Sequence, residues 1–132
     1  MQLSRDNIEE IRGRFFEFFD GVVRSVRIDS VEGKDRTIRT CEISLDAKDR
    51  DSVRGWSRVN LRISGVSEFR FQHGRTIYEV LSDGIQVVWR ENSIYVLLDA
   101  NPDDNQQLRE LSKNIAYVIG ESCELEAVGL PA

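Results

Sequence analysis

Residues 57–72, SRVNLRISGVSEFRFQ, alternate apolar and polar side chains over a length that only a paired β-strand can use. Val59, Leu61 and Ile63 fall on one face, Arg58, Asn60 and Arg62 on the other. After Ser64-Gly65 the alternation resumes with Ser67, Phe69 and Phe71 against Glu68 and Arg70, and a glycine inside a strand pattern marks a bulge or bend. One face of this element is expected to meet a core and the other water or a partner, with the rest of the chain packed around it.

The flanking segments supply further elements. Ser4 or Asn7 can cap a first helix whose opening turn carries Glu9 and Glu10, and Ile8, Ile11, Phe15, Phe18 and Phe19 form its apolar stripe. Asp20-Gly21 stops it. A strand follows with Val22, Val26 and Ile28 on one side and Val23, Ser25 and Arg27 on the other; Glu32 to Asp35 turns, and Cys41, Ile43 and Leu45 point inward on the return. Residues 75–84 fit a short strand or a single helical turn, which periodicity does not separate, and the strand is the preferred reading. Ile85, Val87 and Trp89, a turn at Glu91-Asn92, then Ile94, Val96 and Leu98 form the clearest hairpin. Asn101 and Pro102 begin a short helix near residues 102–113, and the closing strands bend at Gly120. The sum is one domain, residues 1–132, of α+β class: a strongly twisted antiparallel sheet or open sandwich with an N-terminal helix and that second short helix.

The net charge of −5 sets the domain against nucleic acid and anionic lipid, and no stretch approaches the ~18 apolar residues of a membrane span. A cytoplasmic protein is expected. Cys41 and Cys123 are then expected as reduced, buried thiols.

Few residues suggest chemistry. Asp99, Asn101, Asp103, Gln107 and Glu110 match positions of a calcium loop, but Asp104 stands where that loop needs Gly, and Asn101-Pro102 explains the run as a helix start. His73 is the only histidine, which excludes a site needing two. Asp46, Asp49 and Asp51 read as solvated charge around a loop. No phosphate loop, nucleophile elbow or dinucleotide fingerprint is present, so no cofactor, metal or catalytic residue is expected. Trp56, Arg58 and Arg62 share a strand face and are the candidate partner contacts, with Phe15 and Phe19 of the phenylalanine cluster as a second set. Reversing the charges of Arg58 and Arg62 is expected to spare the fold.

Three stretches, FFDGVVRSVRI, VNLRISGVSEFRF and YVIGESCELEAV, together resemble a group of small, uncharacterised bacterial β-rich proteins similar to the immunity proteins of polymorphic toxin systems. The resemblance covers residues 15–128 and implies a cytoplasmic binding protein without chemistry of its own; it carries over no catalytic residue. The expected function is a non-enzymatic protein-binding module, its partner an acidic protein such as a toxin domain, with a homodimer also open. The alternative is a small ligand-binding protein or enzyme whose dispersed pocket lies between sheet and helix.

Overall fold

The computed structural model describes residues 1–71, 80–99 and 116–130. The helix expected near 102–113, the loop residues Asn101, Asp103, Gln107 and Glu110, His73, and positions 75–79 of the expected short strand lie outside the described residues.

The first helix, α1, spans Ile8–Arg14. Ser4 and Asn7 cap it as a reciprocal pair: the Asn7 amide donates to Ser4 Oγ at 3.3 Å and the Ser4 amide donates to Asn7 Oδ1 at 2.8 Å. The apolar stripe does not stay helical through Phe19. At Phe16, Glu17 and Phe18 the backbone makes one left-handed turn, with φ of 53°, 58° and 61°. Such a turn costs about 1–2 kcal/mol per residue. It lets Phe15 and Phe18 both enter the core with ring centroids 5.3 Å apart, and burying two such rings is worth about 1.5–3 kcal/mol each. The backbone of Gly84, at φ +73°, lies against this turn so closely that a Cβ there would sit 2.1 Å from the Glu17 carbonyl oxygen.

Among the described residues nine strands follow: β1 Gly21–Glu32, β2 Thr37–Lys48, β3 Trp56–Ser64, β4 Glu68–Phe71, β5 Val80–Leu81, β6 Ile85–Arg90, β7 Ser93–Leu98, β8 Ala116–Gly120 and β9 Ser122–Gly129. They pair antiparallel in two sheets, ordered β5-β1-β2-β3-β9 and β4-β8-β7-β6. This is the expected α+β class, with strongly twisted strands curled as a half-barrel around a shared core.

Two details of strand order depart from the sequence pattern. Residues 57–72 are not one bent strand: β3 belongs to the five-stranded sheet and β4 to the other, and the chain changes sheets across Ser64–Ser67. The closing strands change sheets at Gly120 in the same way. The corners rest on each other, with the Glu121 amide donating to the Ser64 carbonyl at 2.9 Å, and a Cβ on Gly120 would meet Ile63 Cγ2 at 2.5 Å. In β1 a bulge at Arg24 shifts the pairing from Val23–Leu45 to Ser25–Ser44. Val23 therefore shares the inward side with Val26 and Ile28, opposite Leu45, Ile43 and Cys41, and Val22 takes the outer side opposite Asp46.

Cys41, Ile43, Leu45 and Ala47 of β2 and Val59, Leu61 and Ile63 of β3 are buried as their alternation requires, facing Ile94, Val96 and Val118 of the second sheet. Ile8, Ile11, Phe15 and Phe18 fill the space against α1. Cys41 and Cys123 are buried free thiols, and burial raises their pKa to about 11 and about 12. Ile63 pairs with both cysteines, on β2 and on β9, so two strand spacings, roughly 9.6 Å, separate their Cα atoms. A disulfide needs less than about 7 Å.

Thiol titration should therefore find two slowly reacting thiols in the native protein and two fast ones after denaturation, even following mild oxidation; an intramolecular disulfide in folded protein would contradict this register. Gly84→Ala should lower stability by about 2–4 kcal/mol in urea titration, through left-handed strain and overlap. Gly13→Ala, at an open helical position, should be neutral or gain up to about 1 kcal/mol.

Candidate functional site

Between Lys48 and Trp56 the chain turns from β2 into β3, and the turn is built on one carboxylate. Asp49 is buried, and its side chain accepts hydrogen bonds from Arg14 Nε at 2.9 Å and Nη2 at 3.0 Å, from Ser57 Oγ at 2.5 Å and from the Asp51 amide at 2.9 Å. The Arg50 amide donates to the Arg14 carbonyl at 3.0 Å, tying the turn to the end of α1. Hydrogen bonding from Arg14 outweighs the opposing effect of burial, and with Ser57 and the Asp51 amide it holds the Asp49 carboxyl at about 2. The same bond raises the Arg14 pKa.

Asp46 is buried as well. It accepts from Arg24 Nε at 2.7 Å and from Arg58 Nε. Burial alone would raise its pKa, but the bonds from Arg58 and Arg24 prevail and lower it. The reading of Asp46 and Asp49 as solvated charge is thus corrected: each carboxylate is covered by the arginines that neutralise it. Asp51 remains exposed.

Over this framework lies a shallow depression, open to solvent, lined by Phe16, Val53 and Trp56 together with Lys48, Arg50 and Arg54. Val53 is fully exposed and Phe16 is 49% exposed. Phe16 stands on the left-handed turn and Val53 on the turn held by Asp49, so both apolar side chains are displayed from backbone fixed by core contacts. Lys48 pairs with Asp20 at 3.3 Å and Arg50 with Asp51 at 3.5 Å.

Trp56, Arg58 and Arg62 do share the outer face of β3, as alternation requires. Their surroundings differ. Trp56 opens into the depression; Arg58 is held by Asp46; Arg62 lies in a row of alternating charge across four strands, Arg27–Glu42–Arg62–Glu124. Arg58→Glu would place a second negative charge beside buried Asp46, so the expectation that its reversal spares the fold is revised. Phe15 is completely buried, its ring beneath the Arg14 guanidinium at 4.7 Å, and is closed to any partner; Phe19 is half-buried. The exposed ring of the cluster is Phe16, which helical spacing did not single out. Val53 did leave a signal, as the lone apolar residue in the charged run Lys48–Arg54.

Among the described residues no group of three or more His, Cys, Asp or Glu is placed to hold a metal ion, and no helix is long and apolar enough to cross a membrane. The chain matches no protein-family model, and neither a curated protein nor a solved structure matches it.

Asp49 gives the site a pH signature. Its carboxyl ionises at about 2 when folded, against about 3.9 unfolded, so its bonds contribute roughly 2 kcal/mol that is present above pH ~4 and lost as pH falls toward ~2. Asp49→Asn should be about 2–4 kcal/mol less stable than wild type at neutral pH, and the gap should narrow across that window in urea titrations.

Proposed function

We propose that this protein is a non-enzymatic protein-binding module whose contact surface is the depression around Phe16, Val53 and Trp56. The observation that carries the reading is the pairing of exposed apolar side chains with rigid supports: a fully exposed Val53 and a half-exposed Phe16, each on backbone locked by buried groups. Preorganised apolar anchors with arginines beside them are the features that concentrate binding energy at protein interfaces, because little side-chain and loop ordering remains to be done on association. Lys48, Arg50 and Arg54 favour a partner whose surface is acidic around an apolar centre. A cytoplasmic, immunity-type role in which the surface occludes a toxin domain fits this chemistry and is the specific form we propose.

The alternative of a pocket between sheet and helix has less support, since Ile8, Ile11, Phe15 and Phe18 occupy the space between α1 and the strands.

The test uses variants that remove the anchors without loading the fold. Phe16→Asn keeps a residue that tolerates positive φ, and Val53→Ser alters a side chain in open solvent. With a partner isolated by co-purification at endogenous expression, the double variant should bind at least about 30-fold more weakly, the scale of a ~2 kcal/mol hot-spot loss, while its unfolding midpoint stays within error of wild type. Unchanged affinity in the folded double variant would refute this surface.

A further inference from the structure

Rows of side chains cross the outer face of the five-stranded sheet at right angles to its strands. The register aligns Arg27–Glu42–Arg62–Glu124 in one row, Ser25–Ser44–Asn60–Glu126 in the next and Val22–Asp46–Arg58–Val128 in the third. The charged row is open to solvent: the side chains of Arg27 and Glu42 are 72% and 40% exposed, and Arg62 and Glu124 are exposed as well. Its signs run plus, minus, plus, minus from β1 to β9. A row of even length and alternating sign is antisymmetric about its centre, so a copy turned end for end presents the opposite charge at every position.

We infer that this face is an interface between two copies of the chain, stacked outer face to outer face about a two-fold axis that runs along the strands between β2 and β3. The inference is independent of the surface proposed above, since Phe16 and Val53 stand on turns outside these strands. Such an axis exchanges β2 with β3 and β1 with β9 and keeps each row at its own level. Glu42 then meets the second copy's Arg62, and Arg27 meets the second copy's Glu124, each contact occurring twice. The neighbouring rows agree with this placement. Asp46 meets Arg58, Ser44 meets Asn60, and half-buried Val22 meets exposed Val128.

Other placements of the same face fail on charge. An axis lying on β2 or β3 sets Glu42 or Arg62 against its own copy. An axis across the strands lays each strand on itself: centred on the charged row it joins every charge to its like, and centred on the Ser44 row it brings Glu42 against Asp46 and Arg62 against Arg58.

Because the sheet curls around its core, the outer face bows toward the second copy and β2 and β3 come closest. Stacked sheets lie about 10 Å apart, a gap that an Arg and a Glu side chain together can span. The contacts border solvent, so the dimer is expected to be weak and sensitive to salt.

Sedimentation velocity of the full chain over a concentration series at low ionic strength should show a monomer–dimer equilibrium, weakened at least about tenfold in about 0.5 M salt. Arg62→Glu should weaken it to a similar extent, because two attractive contacts become repulsive. Inverting the whole row, with Arg27→Glu, Glu42→Arg, Arg62→Glu and Glu124→Arg, keeps both the alternation within the chain and the antisymmetry between copies. That variant should dimerise like wild type, yet form no mixed dimers with isotope-labelled wild type in native mass spectrometry, since every contact in the row would then join like charges. Circular dichroism checks that each variant is folded. A wild type that stays monomeric up to submillimolar concentration, a dimer indifferent to Arg62→Glu, a folded inverted variant that stays monomeric, or mixed dimers in statistical proportion would each overturn the inference.

Discussion

Nine rungs of antiparallel pairing between β2 and β3, from Thr40–Ser64 to Lys48–Trp56, set both the inside and the outside of this protein. Because side chains alternate, the same ladder sends Cys41, Ile43, Leu45 and Ala47 with Val59, Leu61 and Ile63 into the core, and Glu42, Ser44 and Asp46 with Arg58, Asn60 and Arg62 outward. A slip of one residue would exchange the two sets. β1 and β9 continue both patterns, so the apolar row and the alternating charge row extend across neighbouring strands without a separate device for each.

At the ends of this ladder the chain accepts local cost where packing returns more. The left-handed turn at Phe16–Phe18 is unfavourable by itself, yet it is held between two buried phenylalanines and the backbone of Gly84. The buried Asp49 loses hydration, and four hydrogen bonds from Arg14, Ser57 and the Asp51 amide replace it. Both solutions have the same outcome at the surface. They fix short segments that would otherwise fluctuate, and those segments carry Phe16 and Val53. The stiffness of the candidate surface is a consequence of core packing and buried charge beneath it.

The preference for arginine has a structural use here. Fifteen of the eighteen basic residues are Arg. Arg14 grips Asp49 through two nitrogens, and Arg24 and Arg58 converge on Asp46 from adjacent strands. A planar guanidinium with several fixed donors suits these partly buried carboxylates better than an ammonium, which is a strongly hydrated point charge on a flexible stem.

Alternation and capping are local properties, and the features that depend on them were legible without coordinates. The inward rows of β2 and β3, the hairpin of β6 and β7, the Ser4–Asn7 cap and the break at Gly120 all follow from spacing and residue type within a few positions. So did the shared face of Trp56, Arg58 and Arg62. What the sequence could not specify is where two remote segments meet. The sheet change after Ser64 depends on a second corner at Gly120, and the reversed parity of Val23 depends on how β2 accommodates the bulge at Arg24. Asp46 and Asp49 are indistinguishable from solvated residues until Arg14, Arg24, Arg58 and Ser57 are brought around them. Phe16 rather than Phe15 is the exposed ring, because the left-handed turn that displays it is stable only with tertiary support. Periodicity determined which residues could be buried together; the contacts between distant segments decided which charges went in with them and which apolar side chains were left outside.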